Sequence, residues 1–171
     1  MNKMRIYPKN KEPFKKLIDF AKKIMSILRK SKISFVVYGS FSHFYHTKDK
    51  GMKVNDIDIM IKNFDFKKLT KLLEKNRIKF RYYPEWQTCI IKDKELKVEV
   101  DSVGLGYKTI KEKTLFKKSP YADFYGMKIK ILSLEDLCEM YPIAYNRSKH
   151  DKAKILKKIR DMEKFLGRKL I

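Results

Sequence analysis

Asn55–Ile61 reads NDIDIMI: two carboxylates, Asp56 and Asp58, alternate with Ile57, Ile59 and Ile61. Alternation with period two marks a β-strand, where successive side chains point to opposite faces. The spacing predicts a strand over Asp56–Ile61 with both acids on one face and the isoleucines turned into a core. Carboxylates held side by side repel one another. A divalent cation relieves that repulsion, and Mg2+ takes a few carboxylates together with phosphate oxygens rather than a closed protein cage.

Working upstream, Ile33–Tyr38 (ISFVVY) reads as a buried strand stopped by Gly39 and Ser40, with a short helix over Phe41–His46. A strand-to-helix turn of this kind suits a phosphate. Glycine lets backbone approach, the first helical amides face the anion, and the serine hydroxyl adds a donor. Thr47–Lys53 is a polar loop turning at Gly51, whose Lys48, Lys50 and Lys53 either steer a triphosphate or are simply solvated. A Gly-Ser pair alone carries little information; Gly-Ser after a strand, then fifteen residues, then Asp-x-Asp on another strand carries much more.

Downstream, Leu96–Asp101 (LKVEVD) alternates again, with Val98 and Val100 pointing one way and Glu99 and Asp101 the other. If this strand lies beside the first, three acids converge. Two-metal phosphoryl transfer uses such a set: one cation lowers the pKa of an attacking hydroxyl, the other neutralises the triphosphate and its leaving pyrophosphate. Both Glu99 and Asp101 remain candidates for the third carboxylate.

The remaining pattern is mixed. Phe14, Leu17, Ile18, Ala21, Ile24, Met25 and Leu28 recur at three and four, predicting an amphipathic helix from Pro13 to about Lys30. Asp65–Asn76 reads as a helix capped by Asp65. Strands follow at about Ile78–Tyr83 and Trp86–Ile91, and a turn at Lys92–Glu95 leads into the Leu96 strand. Ser102–Phe124 reads as irregular, with Gly104 and Gly106; Lys128–Leu132 is a short strand after Gly126. Ser133 to Asp136 opens a helix in the manner of a capping box, which Pro142 breaks or kinks, and a basic helix runs from about Ser148 to Phe165. The expected fold class is α/β (α+β): a mixed β-sheet with flanking helices and C-terminal helices. One domain is expected over residues 1–171, with its core at about 33–101 and a C-terminal helical part at about 133–171.

Composition bounds the partners. The chain of 171 residues carries 42 Lys and Arg against 20 Asp and Glu, a formal net charge of +22. Such a charge favours encounters with polyanions, nucleotides and RNA among them. The excess is mostly lysine, and a lysine-heavy coding bias or heat adaptation produces the same balance with no nucleic-acid partner. Cys89 and Cys138 form no metal-ligand spacing and read as small buried hydrophobes of a reducing compartment. Neither a signal-type leader nor an apolar run long enough to span a bilayer is seen, so a cytoplasmic chain without a membrane partner is expected. The oligomeric state is left open. His43 and His46 stand three apart without a third ligand, and packing is the plainer reading. Arg147 and His150 read as a solvated basic face, and Trp86, Tyr82 and Tyr83 as sheet packing rather than base stacking.

These segments resemble the DNA polymerase β-like nucleotidyltransferase superfamily. VVYGS at Val36–Ser40, NDIDIMI at Asn55–Ile61 and VEVD at Val98–Asp101 match its pattern of strand, Gly-[Gly/Ser], Asp-x-Asp and a later acid. The small prokaryotic branch, which includes antibiotic and toxin–antitoxin nucleotidyltransferases, is the most similar, because Gly126–Leu137 (GMKIKILSLEDL) follows its continuation. The resemblance covers about residues 33–160 and implies the nucleotidyltransferase fold. It implies metal binding by Asp56 and Asp58, donor phosphates at Gly39 and Ser40, and a metal-binding or base role for the later acid. Spacing to Gly106 in the small members favours Glu99, with Asp101 close behind. Tyr141 stands where the branch often carries lysine, Pro142 follows, and Arg147 to Asp151 matches only in part. The expected activity is transfer of an NMP from an NTP, with Mg2+ or Mn2+, to a hydroxyl of RNA (tRNA included), protein or a small molecule. The alternative is a non-catalytic basic module on the same fold that binds nucleic acid or protein.

Overall fold

Phe14, Leu17, Ile18, Ala21, Ile24, Met25 and Leu28 form one buried stripe along α1 (Lys11–Lys30), as their spacing requires. The computed structural model describes residues 6–103, 112–148 and 151–171. Gly104, Gly106 and His150 lie outside the described residues, as does the side chain of Arg147. After α1 come β1 (Phe35–Tyr38), α2 (Gly39–Thr47), β2 (Ile57–Ile61), a 3-10 turn (Asn63–Asp65) and α3 (Phe66–Lys75). Then follow β3 (Phe80–Tyr83), β4 (Thr88–Asp93), β5 (Leu96–Ser102), α4 (Glu112–Lys118), β6 (Tyr121–Phe124), β7 (Met127–Lys130), α5 (Leu134–Arg147) and α6 (Lys152–Leu166). Among the described residues no helix is long and apolar enough to cross a membrane.

Five strands form a mixed sheet in the order β1-β2-β5-β4-β3, with β2 parallel to β5 and the other pairs antiparallel. Helices cover both faces. Ile57, Ile59, Ile61, Val98 and Val100 pack with the α1 stripe and with Leu69 and Leu73 of α3. Val36, Tyr38 and Met60 point the other way, into a second core with Leu137, Met140 and Tyr141 of α5 and Ile159 and Met162 of α6. Strand alternation puts Asp58, Glu99 and Asp101 on this second face, beside the C-terminal helices.

Asn10 precedes α1 but does not cap it; its side chain clamps the chain entering β2. Nδ2 donates to Val54 O at 2.8 Å, and Val54 N donates to Oδ1 at 3.1 Å. Asn10→Ala leaves both backbone groups of buried Val54 without these partners. A stability loss of about 1–3 kcal/mol is expected by denaturant melt. Unchanged stability would contradict the clamp.

Several expectations need correction. Ser102–Phe124 is not irregular throughout: it holds α4 and β6, the latter paired with β7 through a turn in which Tyr125 and Gly126 both have positive φ. That two-residue hairpin geometry is favoured by strand twist, and Asp123 Oδ1 accepts from Gly126 N at 2.7 Å. Pro142 does not break α5, which runs on to Arg147. Buried Leu137, Cys138, Met140 and Tyr141 hold it against the second core, outweighing a proline cost of about 3 kcal/mol. Asp65 stands before α3 but makes no capping bond. Trp86 is not in the sheet: β4 begins at Thr88, and Trp86 sits 71% exposed in the β3–β4 turn, where Gln87 takes a positive φ. Tyr82 does pack, stacking on Phe66. The Ser133 cap forms, its Oγ accepting from Asp136 N at 3.1 Å.

Candidate active site

The site begins where β1 turns into α2. Gly39 has φ +65°, and a Cβ added there would lie 1.9 Å from Asp58 Oδ2. Glycine is present because the Asp58 carboxylate rests against this backbone. Antiparallel pairing sets Tyr38 opposite Asp58 on one side, and parallel pairing sets Glu99 opposite it on the other. Asp56 lies just before β2, partly exposed.

Lys97 joins this group. It is two residues before Glu99 and therefore on the same face of β5. Its Nζ lies 2.7 Å from Asp56 Oδ2 and 3.0 Å from Glu99 Oε2. Burial works against its charge, but the hydrogen bonds to Asp56 and Glu99 win and raise its pKa above the ordinary lysine value.

Asp101 is held differently. Tyr38 OH donates to its Oδ2, and Thr88 Oγ1 donates to its Oδ1 at 2.5 Å. Burial pushes Asp101 up to about 6 against the pull of those two hydroxyls. Asp58 is pushed up to about 7, first by burial and then by the charges of Asp56, Glu99 and Asp101.

From α6, Lys158 reaches across and donates to Ser40 Oγ at 2.8 Å. Burial lowers its pKa, opposed by Asp58. Lys158 borders two clefts. One, of about 440 Å³, is lined by Ser40, His43, Asp56, Lys53, Lys154 and Lys157 among others. The other, of about 220 Å³, runs along Tyr38, Gly39, Asp58 and Tyr141. Of the loop lysines, Lys53 lines the larger cleft, while Lys48 sits 3.8 Å over the Tyr45 ring.

His43 and His46 do not act as a pair. His46 Nε2 bonds Leu132 O at 2.8 Å, and His43 Nδ1 bonds Tyr141 OH at 3.0 Å. Burial, then Lys158, lowers His43 to about 4, so the ring is neutral at pH 7. Cys89 and Cys138 are free and buried.

Sequence reasoning named Asp56, Asp58, Glu99, Gly39 and Ser40, and the fold brings these together around one turn. Asp101 is adjacent but engaged by Tyr38 and Thr88. Lys97 and Lys158 went unnamed: period two puts Lys97 in phase with Glu99, whereas no pattern marks Lys158 among the lysines of α6.

Among the described residues no three His, Cys, Asp or Glu side chains close on one point as a metal cage does. The donor set nevertheless fits a hard divalent ion that draws other ligands from phosphate and water. The Lys97 ammonium already stands as a cation between Asp56 and Glu99.

Comparison with solved structures agrees with this architecture. The antibiotic-resistance factor ANT(2'')-Ia superimposes with a TM-score of 0.64 at 13% identity, covering 90% of this chain and 85% of that one. The lincosamide antibiotic adenylyltransferase LnuA gives 0.58 at 13% identity, covering 86% and 96%. A Thermotoga maritima protein assigned as a nucleotidyltransferase gives 0.54 at 23% identity, covering 84% and 91%. The chain thus has the nucleotidyltransferase fold, in agreement with the superfamily its motifs resemble. No family model and no curated protein sequence matches it.

Proposed function

We propose that this chain is a metal-dependent nucleotidyltransferase that moves an NMP from an NTP to a hydroxyl acceptor and releases pyrophosphate. The observation that supports it most is Asp58 set against the Gly39 turn and in register with Glu99, with Asp56 beside them. Asp56, Asp58 and Glu99 would hold Mg2+ or Mn2+, and Gly39 and Ser40 would border the donor phosphates. When bound, the ion neutralises phosphate charge and lowers the pKa of the attacking hydroxyl.

The chain's own groups do the rest. Lys53, Lys154, Lys157 and Lys158 draw the triphosphate into the larger cleft. The acceptor oxygen bonds to the α-phosphorus, the bond to pyrophosphate breaks with its electron pair leaving on pyrophosphate, and the acceptor proton passes to Glu99. Asp101 positions Tyr38 and Thr88 instead of taking that proton, because both its oxygens accept hydrogen bonds. A net charge of +22 favours RNA, tRNA included, as acceptor and disfavours a polycationic one.

The test is incubation with α-labelled triphosphates, Mg2+ or Mn2+, and pooled RNA or protein. Wild type is expected to transfer label and the double substitution Asp56→Ala, Asp58→Ala to transfer none. Equal counts from the two under every metal would remove the enzyme. The charge alone supports a second reading, a non-catalytic RNA-binding module. That reading expects salt-steep binding which ignores the aspartate substitutions.

A further inference from the structure

Lys97 has no part in the chemistry above, yet its ammonium sits between two of the carboxylates that chemistry needs. Its placement is specific. Pairing of β4 with β5 sets Lys92 directly opposite Lys97, a like-charge pair that is unfavourable across strands. Turning the Lys97 head toward Asp56 and Glu99 removes that conflict and neutralises acids that otherwise repel.

We propose that Lys97 and a divalent cation are alternative occupants of the position between Asp56 and Glu99. Lys97 must swing out before the site takes its ion, and so sets the metal concentration at which the site switches on. The inference rests on the metal-site reading given above. Three arguments support it. A bridging ammonium at 2.7 and 3.0 Å already fills the gap between two of the carboxylates that would hold the ion. Two cations within one such gap repel strongly, so both cannot stay. An exit exists, since the Lys97 side chain is 30% exposed on a flexible four-carbon stem. Before the ion arrives, Lys97 holds strand β5 and the entry to β2 together.

The experiment measures Mn2+ binding by electron paramagnetic resonance without nucleotide, in wild type, Lys97→Met, Lys97→Gln, and the Asp56→Asn, Asp58→Asn double variant. Both lysine variants are expected to bind Mn2+ about tenfold or more tighter than wild type, the effect of removing one unit charge at this range. The double aspartate variant is expected not to bind. In wild type, an amine-reactive acylating reagent read by mass spectrometry is expected to label Lys97 faster when Mn2+ saturates the site, with Lys92 as internal reference. Unchanged affinity in both lysine variants, with Lys97 labelling indifferent to Mn2+, overturns the exchange and leaves the metal site standing. Absence of Mn2+ binding in wild type and both lysine variants overturns both.

Discussion

Gly39→Ala is expected to cut the proposed nucleotidyl transfer by about a hundredfold or more, with only a modest loss of stability. The new Cβ would lie 1.9 Å from Asp58 Oδ2, 2.8 Å from its Cγ and 3.0 Å from its Cβ. Asp is too short to bend away from such a contact. It must leave its rotamer, or β1 and β2 must part where Tyr38 pairs with Asp58. The alanine must also hold φ near +65°, which costs an L-residue about 1–2 kcal/mol. Either relaxation moves the carboxylate that the proposed ion needs, and misplacement of about 1 Å is enough for a hundredfold loss. A melt within a few degrees of wild type, beside the activity loss, would show that the damage is local. Activity within threefold of wild type would mean that Asp58 is not held at the turn for chemistry.

Much of this geometry was legible in the chain, and the limits have physical causes. Alternation in NDIDIMI and LKVEVD separates acid from apolar faces, because a strand has only two. Neither pattern contains the register, so that Glu99, not Asp101, faces Asp58 emerges only from the parallel pairing of β2 with β5. What distinguishes the two acids further is Asp101's pair of hydroxyl partners, Tyr38 being 63 residues away in the chain. Lys97 is in phase with Glu99, but nothing local sets it apart among the 42 basic residues of the chain. Lys158 meets Ser40 across 118 residues, a contact made by packing α6 onto the second core and invisible to local pattern. The break allowed at Pro142 does not occur, because burial of Leu137, Cys138, Met140 and Tyr141 holds α5 to the second core.

Asp58→Asn is expected to abolish transfer and at the same time make the metal-free protein more stable above pH 7. Burial, aided by Asp56, Glu99 and Asp101, raises Asp58 from 3.8 to about 7 in the folded chain. Between those values the folded state keeps a proton that the unfolded state has released, so stability falls as pH rises through about 4 to 7. The full penalty, on the order of 4 kcal/mol, is present only above about 7. His43 runs the other way. Its pKa is lowered from 6.5 to about 4, so the unfolded state holds the extra proton and stability rises over nearly the same range. Asp101, raised to about 6, adds to the Asp58 trend, so the wild-type profile sums titrations of opposite sign and the Asp58 contribution is read as a difference. In EDTA, wild type and Asp58→Asn are expected to have similar unfolding free energies at pH 4, where the acid is neutral like the amide. The gap should open by about 2–4 kcal/mol in the variant's favour at pH 8. Adding Mn2+ should then narrow it, because an ion that binds only the folded wild type stabilises that protein alone. A gap that does not change with pH would place Asp58 in solvent. One that changes with pH but ignores the metal would leave a strained acid cluster with no ion to bind.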